Sequence, residues 1–153
     1  PDTRAGNGLD WKDLVNDGPG DAPLDLDTPA MPEEASEALE ERIMAAIRRM
    51  GVDPNALLPR SRVEEAAQAL AGRDPDRARQ IVRRVAPAAV RSVSRRVLTD
   101  PDLRADAEAF VRGFSRDLAA RAAANDGAGI LGRLTSAGGR AFMLLDAAVG
   151  DLA

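Results

Sequence analysis

Prolines punctuate this chain from Pro32 to Pro101, and each stands where a helix must begin or stop. A proline inside a helix removes one hydrogen bond and clashes with the preceding turn, so no long uninterrupted helix can cross residues 32–101. At a first helical position the same residue is harmless, because its N–H would have no partner there and its φ is already set. Pro32 followed by Glu33 and Glu34, Asp74-Pro75 and Asp100-Pro101 all read as helix starts.

Between these marks the apolar residues recur at helical spacing. Leu39, Ile43, Ile47 and Met50 keep one face and Gly51 stops them, which predicts a helix over 33–50. After a turn at Val52-Asp53-Pro54, Ser61-Arg62-Val63-Glu64 matches a capping box, with Val63, Ala66, Ala67 and Leu70 on one face and Gly72 behind them. A third helix from Pro75 carries Ile81, Val82 and Val85 and ends or kinks at Pro87. A fourth, over 88–98, carries Val90, Val93, Val97 and Leu98. The longest, over 101–124, aligns Leu103, Ala107, Phe110, Phe114 and Leu118 before Asn125-Asp126-Gly127. Ile130, Leu131 and Leu134 form a short turn or helix. Ser136-Ala137-Gly138-Gly139 reads as a break before an apolar terminal helix from Ala141 to Leu152. No alternating strand pattern, internal repeat or sustained heptad occurs. The expected fold is all-α: a small bundle of five to six short helices over residues 32–153, behind a disordered acidic arm over 1–31.

The core of such a bundle is constrained by its composition. Hydrophobic residues make up 44% of the chain, but Ala is the commonest of them, and only Phe110, Phe114 and Phe142 bring large aromatic bodies to the helical part. Alanine allows helices to approach closely while burying little area per residue. Phe142, Met143, Leu144, Leu145, Val149 and Leu152 are read as core, with an exposed homo-oligomer face as the competing reading.

The function classes are narrowed by absences. There is no His, Cys or Tyr, and Lys12 is the only lysine. Without imidazole or thiol there is no Ser-His-Asp triad, no Cys nucleophile and no common zinc site. Glu33, Glu37, Glu40 and Glu41 share helical spacing, as do Asp102 and Asp106, but acids gather at helix starts for dipole reasons. The expectation is therefore no enzyme, no catalytic residue, no metal and no cofactor. No run approaches 18 apolar residues and no signal-peptide pattern is present, so a cytoplasmic location without a membrane span is expected. A start at Pro1 without Met reads as a processed product or as part of a longer chain.

The net charge of −4 hides a polarity along the chain. Residues 1–36 hold nine acids against Arg4 and Lys12, a net of −7, which leaves +3 for the rest. The arm contains one amphipathic stretch, Leu9-Asp10-Trp11-Lys12-Asp13-Leu14-Val15, in which Trp11, Leu14 and Val15 fall at i, i+3 and i+4. Leu9, Trp11, Leu14 and Val15 are candidate partner-binding residues, of the kind that anchor a segment in a partner's groove. Docking onto the chain's own helices and chance hydrophobicity are the alternatives. Within 73–96, eight arginines face Asp74 and Asp76, a net of +6. Arg77, Arg84 and Arg91 lie seven apart and, with Arg95, make a candidate basic face for an acidic protein, a lipid surface or nucleic-acid phosphates. The plainer reading is a solvated face that pairs with neighbouring helices or with the arm. No aromatic residues interleave with these arginines and no nucleic-acid-binding signature surrounds them.

Two segments, Arg83-Arg84-Val85-Ala86-Pro87-Ala88-Ala89-Val90-Arg91 and Gly139-Arg140-Ala141-Phe142-Met143-Leu144-Leu145-Asp146-Ala147-Ala148, resemble the C-terminal region of alphaproteobacterial pole-organising proteins of the TipN type. That resemblance implies a bacterial scaffold that marks a cell pole and recruits partners, with no catalytic residue to carry over. The Arg-rich, nearly Lys-free composition is what a GC-rich bacterial genome encodes. The sequence reading is thus a non-catalytic protein–protein interaction or scaffold module. Its alternative is a nucleic-acid-binding module that uses the same arginines and is autoinhibited by the acidic arm.

Overall fold

A computed structural model describes residues 33–152. Readings that fall on residues 1–31, Leu9, Trp11, Leu14 and Val15 included, lie outside the described residues. The described part is helical throughout and contains eight helices: α1 (Glu33–Arg49), α2 (Pro54–Leu57), α3 (Arg60–Ala71), α4 (Pro75–Val85), α5 (Pro87–Thr99), α6 (Pro101–Ala123), α7 (Gly127–Thr135) and α8 (Ala137–Leu152). None of them is long and apolar enough to cross a membrane.

The all-α reading stands, but the count of five to six helices is corrected to eight. Local capping accounts for the difference. Asp53 accepts a hydrogen bond from the Asn55 amide and turns the expected Pro54 loop into the single turn of α2. Asp126 accepts from the Gly129 amide and starts α7 despite its three glycines. Ser136 does the same for α8: its hydroxyl accepts from Gly139 N and its carbonyl from Arg140 N, so the expected break at 136–139 becomes the first helical turn. The Ser61–Glu64 capping box does not form. Pro59, extended at φ −67° and ψ 161°, precedes the helix instead, and Glu64 is taken by Arg60 at 3.0 Å. The predicted starts at Pro75 and Pro101 hold: Asp74 and Asp100 cap them by accepting from Arg77 N and Leu103 N at 3.1 Å.

Helix α8 lies at the centre. It packs against α2, α4, α5, α6 and α7, and every residue from Ala141 to Ala148 is buried. Apart from Asp146, the stretch from Ala141 to Val149 is apolar on every side, and such a stretch is satisfied only by burial on all faces. The core reading of Phe142, Met143, Leu144 and Leu145 is therefore correct, and Val149 is half-buried. Ala141, Ala147 and Ala148 are fully enclosed and let the surrounding helices come close. Phe114 of α6 stacks on Phe142 of α8, with ring centroids 4.6 Å apart, and meets Phe110 at 5.6 Å. Arg133 of α7 covers the same Phe114 ring at 4.4 Å and pairs with Asp117 at 3.2 Å. Helix α1 buries Leu39, Ile43, Ala46 and Ile47, and its Arg42 holds α6 through a bidentate pair with Asp106 at 3.0 and 3.1 Å.

Three helices end in the same double-bonded turn, in which two amides beyond the helix reach back to its last carbonyls. Val52 N donates to Ile47 O, Asp74 N to Ala69 O and Asp126 N to Arg121 O, each with an inner partner from the preceding residue. The turn needs a left-handed residue, and the three chosen are Gly51 (φ 77°), Arg73 (φ 62°) and Asn125 (φ 59°). Glycine and asparagine adopt this conformation readily; for an arginine it costs about 1 kcal/mol.

Candidate interaction sites

Two concave surfaces among the described residues are singled out by their lining, one cationic and one apolar with a buried acid. The first is a hollow of about 400 Å³ where the end of α1 meets the last turns of α5. Arg49, Arg95 and Arg96 line it with Met50, Ser92 and Thr99. None of these three arginines has an ion-pair partner among the described residues, whereas Arg42, Arg60, Arg62, Arg79, Arg104, Arg121 and Arg133 each hold a carboxylate. The Thr99 hydroxyl is engaged by the carbonyls of Arg95 and Arg96 and closes the end of α5. Leu98, at i+3 from Arg95, is 57% exposed and is the one large apolar side chain left open among the described residues. A neighbouring cleft shares Arg49 and Arg96 but adds Asp100, Asp102 and Asp106, so the cationic field is confined to the hollow.

The structure divides the expected basic face. Ala86 and Pro87 separate α4 from α5, which leaves Arg77 and Arg84 exposed on one helix and Arg91 and Arg95 exposed on the next. Only Arg95 reaches the hollow. Two other arginines of the same stretch turn inward: Arg79 binds Asp146 and Asp76, and Arg83 donates to the Ala147 carbonyl at 3.0 Å. Arg49 and Arg96 were not legible as site residues. Their only signal is that Arg49 and Arg96 each sit in a last helical turn, where cations meet the negative end of the dipole.

The second surface is an apolar cleft of about 470 Å³ bounded by α3, α4, α6 and α8. Leu70, Leu118, Ala119, Ala122 and Phe142 form its walls, Arg73 and Arg79 stand at its edge, and Asp146 belongs to its lining. The alanines of α6 create the space: larger side chains at those positions would close it. Asp146 is the one buried charged residue among those described. Its Oδ2 accepts from Arg79 Nε at 3.1 Å, and Arg79 Nη1 also reaches Asp76 at 2.6 Å.

Burial holds the Asp146 carboxyl above its ordinary value; Arg79 and then Arg83 pull it back down, and Asp76 adds to the rise. The folded chain therefore keeps a proton at a pH where the unfolded carboxyl, near about 3.9, has lost it, so stability falls as pH rises through that window. The Asp146 contribution is complete below the unfolded value and is lost above the folded one. Asp146→Asn is expected to flatten this descent. Denaturant midpoints compared between about pH 4 and 7 would show it, and an unchanged slope would contradict the assignment.

Comparisons with protein-family models, with curated proteins and with solved structures return no match.

Proposed function

We propose that this chain is a non-catalytic protein-interaction module, a scaffold piece of the bacterial cytoplasm whose folded part receives an acidic protein surface in the hollow of Arg49, Arg95 and Arg96. The observation that carries the reading is that Arg49, Arg95 and Arg96 converge on one hollow and that none of them has an ion-pair partner among the described residues. Leu98, open at i+3 from Arg95 though outside the lining of the hollow, favours a protein over a nucleic acid, because a phosphate backbone offers nothing to an open leucine. Asp100 and Asp102 next to the hollow oppose a continuous phosphate track. The resemblance to pole-organising proteins supports a role in recruiting partners to a cell pole. Leu9, Trp11, Leu14 and Val15 supply a second binding element in this reading, on sequence grounds alone.

Nucleic acid remains the second reading, since guanidinium groups also suit phosphates. A titration of the full chain with a labelled acidic peptide and with a DNA duplex, across a salt series, separates the two. Charge reversal of Arg49, Arg95 and Arg96 to Glu is expected to weaken peptide binding at least about tenfold. Tighter binding of the duplex, with a log–log salt slope near about −3 and a gain on removing residues 1–31, would transfer the site to nucleic acid. Failure of both polyanions at low salt would end the reading.

A further inference from the structure

The apolar cleft between α3, α4, α6 and α8 has an unusual arrangement of polar groups, and its chemistry is separate from that of the arginine hollow. We propose that this cleft is a docking site for a tryptophan side chain on an acidic partner segment, with the indole between Leu118, Ala119, Ala122 and Phe142 and a flanking carboxylate on Arg73.

Three observations define that occupant. The walls are apolar, and the space of about 470 Å³ exceeds a single small side chain, which calls for a large apolar body. The lining includes a carboxylate, Asp146, with only one oxygen engaged by a described residue: Oδ2 accepts from Arg79, while Oδ1 accepts from none and is not sealed from solvent. A purely hydrocarbon guest would strip water from that oxygen without replacing it, which is costly for a charged acceptor. An aromatic ring carrying its own N–H donor replaces the lost bond. The third observation is Arg73. It lines the cleft and forms no ion pair among the described residues, and it occupies the left-handed position of the α3 terminal turn, which Gly51 fills at the end of α1. The local fold gains nothing from arginine there. Its guanidinium at the edge is a fixed cation, and Arg79 is not a substitute because Asp146 and Asp76 already neutralise it. A tryptophan with an adjoining acid satisfies all three features, and tryptophan is among the residues enriched as strong anchors of protein interfaces.

The test uses the full chain carrying Trp11→Phe, so that no tryptophan of the protein competes with the probe. N-acetyl-tryptophan, whose carboxylate stands in for the acidic neighbour, is titrated while backbone amide resonances are followed. Saturable shifts are expected at Leu118, Ala119, Ala122 and Phe142, with a dissociation constant on the order of 1 mM. Arg73→Gly suits the left-handed turn better than the native residue, so it is expected to melt no lower while binding N-acetyl-tryptophan about fivefold more weakly or worse. N-acetyl-tryptophanamide, which lacks the carboxylate, is expected to bind both proteins equally and weakly. N-acetyl-1-methyltryptophan, which lacks the ring donor, is expected to lose affinity in both. Shifts absent from the cleft, equal binding of the acid and the amide, or an Arg73→Gly variant that binds the acid unchanged would each overturn the proposal. Because Arg49, Arg95 and Arg96 take no part, its failure would leave the hollow untouched, and the reverse also holds.

Discussion

Phe114→Ala is expected to destabilise the folded chain by about 4 kcal/mol, the range for removing a buried aromatic ring from a packed core. The ring is 5% exposed and joins three elements: it stacks on Phe142 of α8, tilts against Phe110 on its own helix, and supports the Arg133 guanidinium of α7. Its loss leaves a cavity beside Phe110 and Phe142, whose rings are held in the core and can fill it only in part. Marginal domains are stable by only about 5–15 kcal/mol, so this single change removes a large share of the total. Equilibrium unfolding in guanidinium chloride, read by far-ultraviolet circular dichroism, measures it directly. A loss under about 1 kcal/mol would show that the ring is not the junction described here.

The second large effect is expected at Gly139 and not at its neighbour. A Cβ on Gly139 would lie 2.0 Å from the Arg133 carbonyl oxygen and 2.6 Å from Leu134 Cα, both backbone atoms of α7. Backbone cannot move aside as a side chain can, so Gly139→Ala must push α8 away from α7, at a cost of about 3 kcal/mol. The three atoms nearest to a Cβ on Gly138 would all belong to the Glu40 carboxyl group, at 2.7–2.8 Å, and that flexible side chain can swing away. Gly138→Ala also reduces the freedom of the unfolded chain, and the two effects leave its stability within about 0.5 kcal/mol of the parent. Thermal melts of the two variants side by side discriminate between them; equal melting temperatures would refute the close approach of α7 to α8.

These glycines also mark the limit of sequence reading. In sequence Gly138-Gly139 is a break, because nothing in a linear pattern distinguishes a glycine that ends a helix from one that lets two helices touch. Ser136 supplied the missing cap, yet a serine before two glycines is equally at home in a turn. The basic face is a similar case. Eight arginines over residues 73–96 can be counted, but their allocation depends on what lies opposite: Arg79 and Arg83 meet α8, and Arg95 meets Arg49 from a helix nearly fifty residues away.

By itself the sequence determined the all-helical class, the starts at Pro75 and Pro101 and most of each apolar face, but not the exposure of Leu98, which it grouped with the buried Val90, Val93 and Val97. Proline geometry, aspartate caps and a period of 3.6 residues act over a single turn and need no distant partner. For the apolar run from Ala141 to Leu145 the sequence left core and an exposed oligomer face as competing readings, and the burial of every residue from Ala141 to Ala148, Asp146 included, was decided by the tertiary structure. Only the tertiary structure decided the rest. The cleft arises from alanines of α6 facing Asp146 and Phe142 of α8, and the left-handed arginine beside it follows from how α3 turns into α4. Such features are set by the distance between helices, and that distance is fixed by packing and not by any local run of residues.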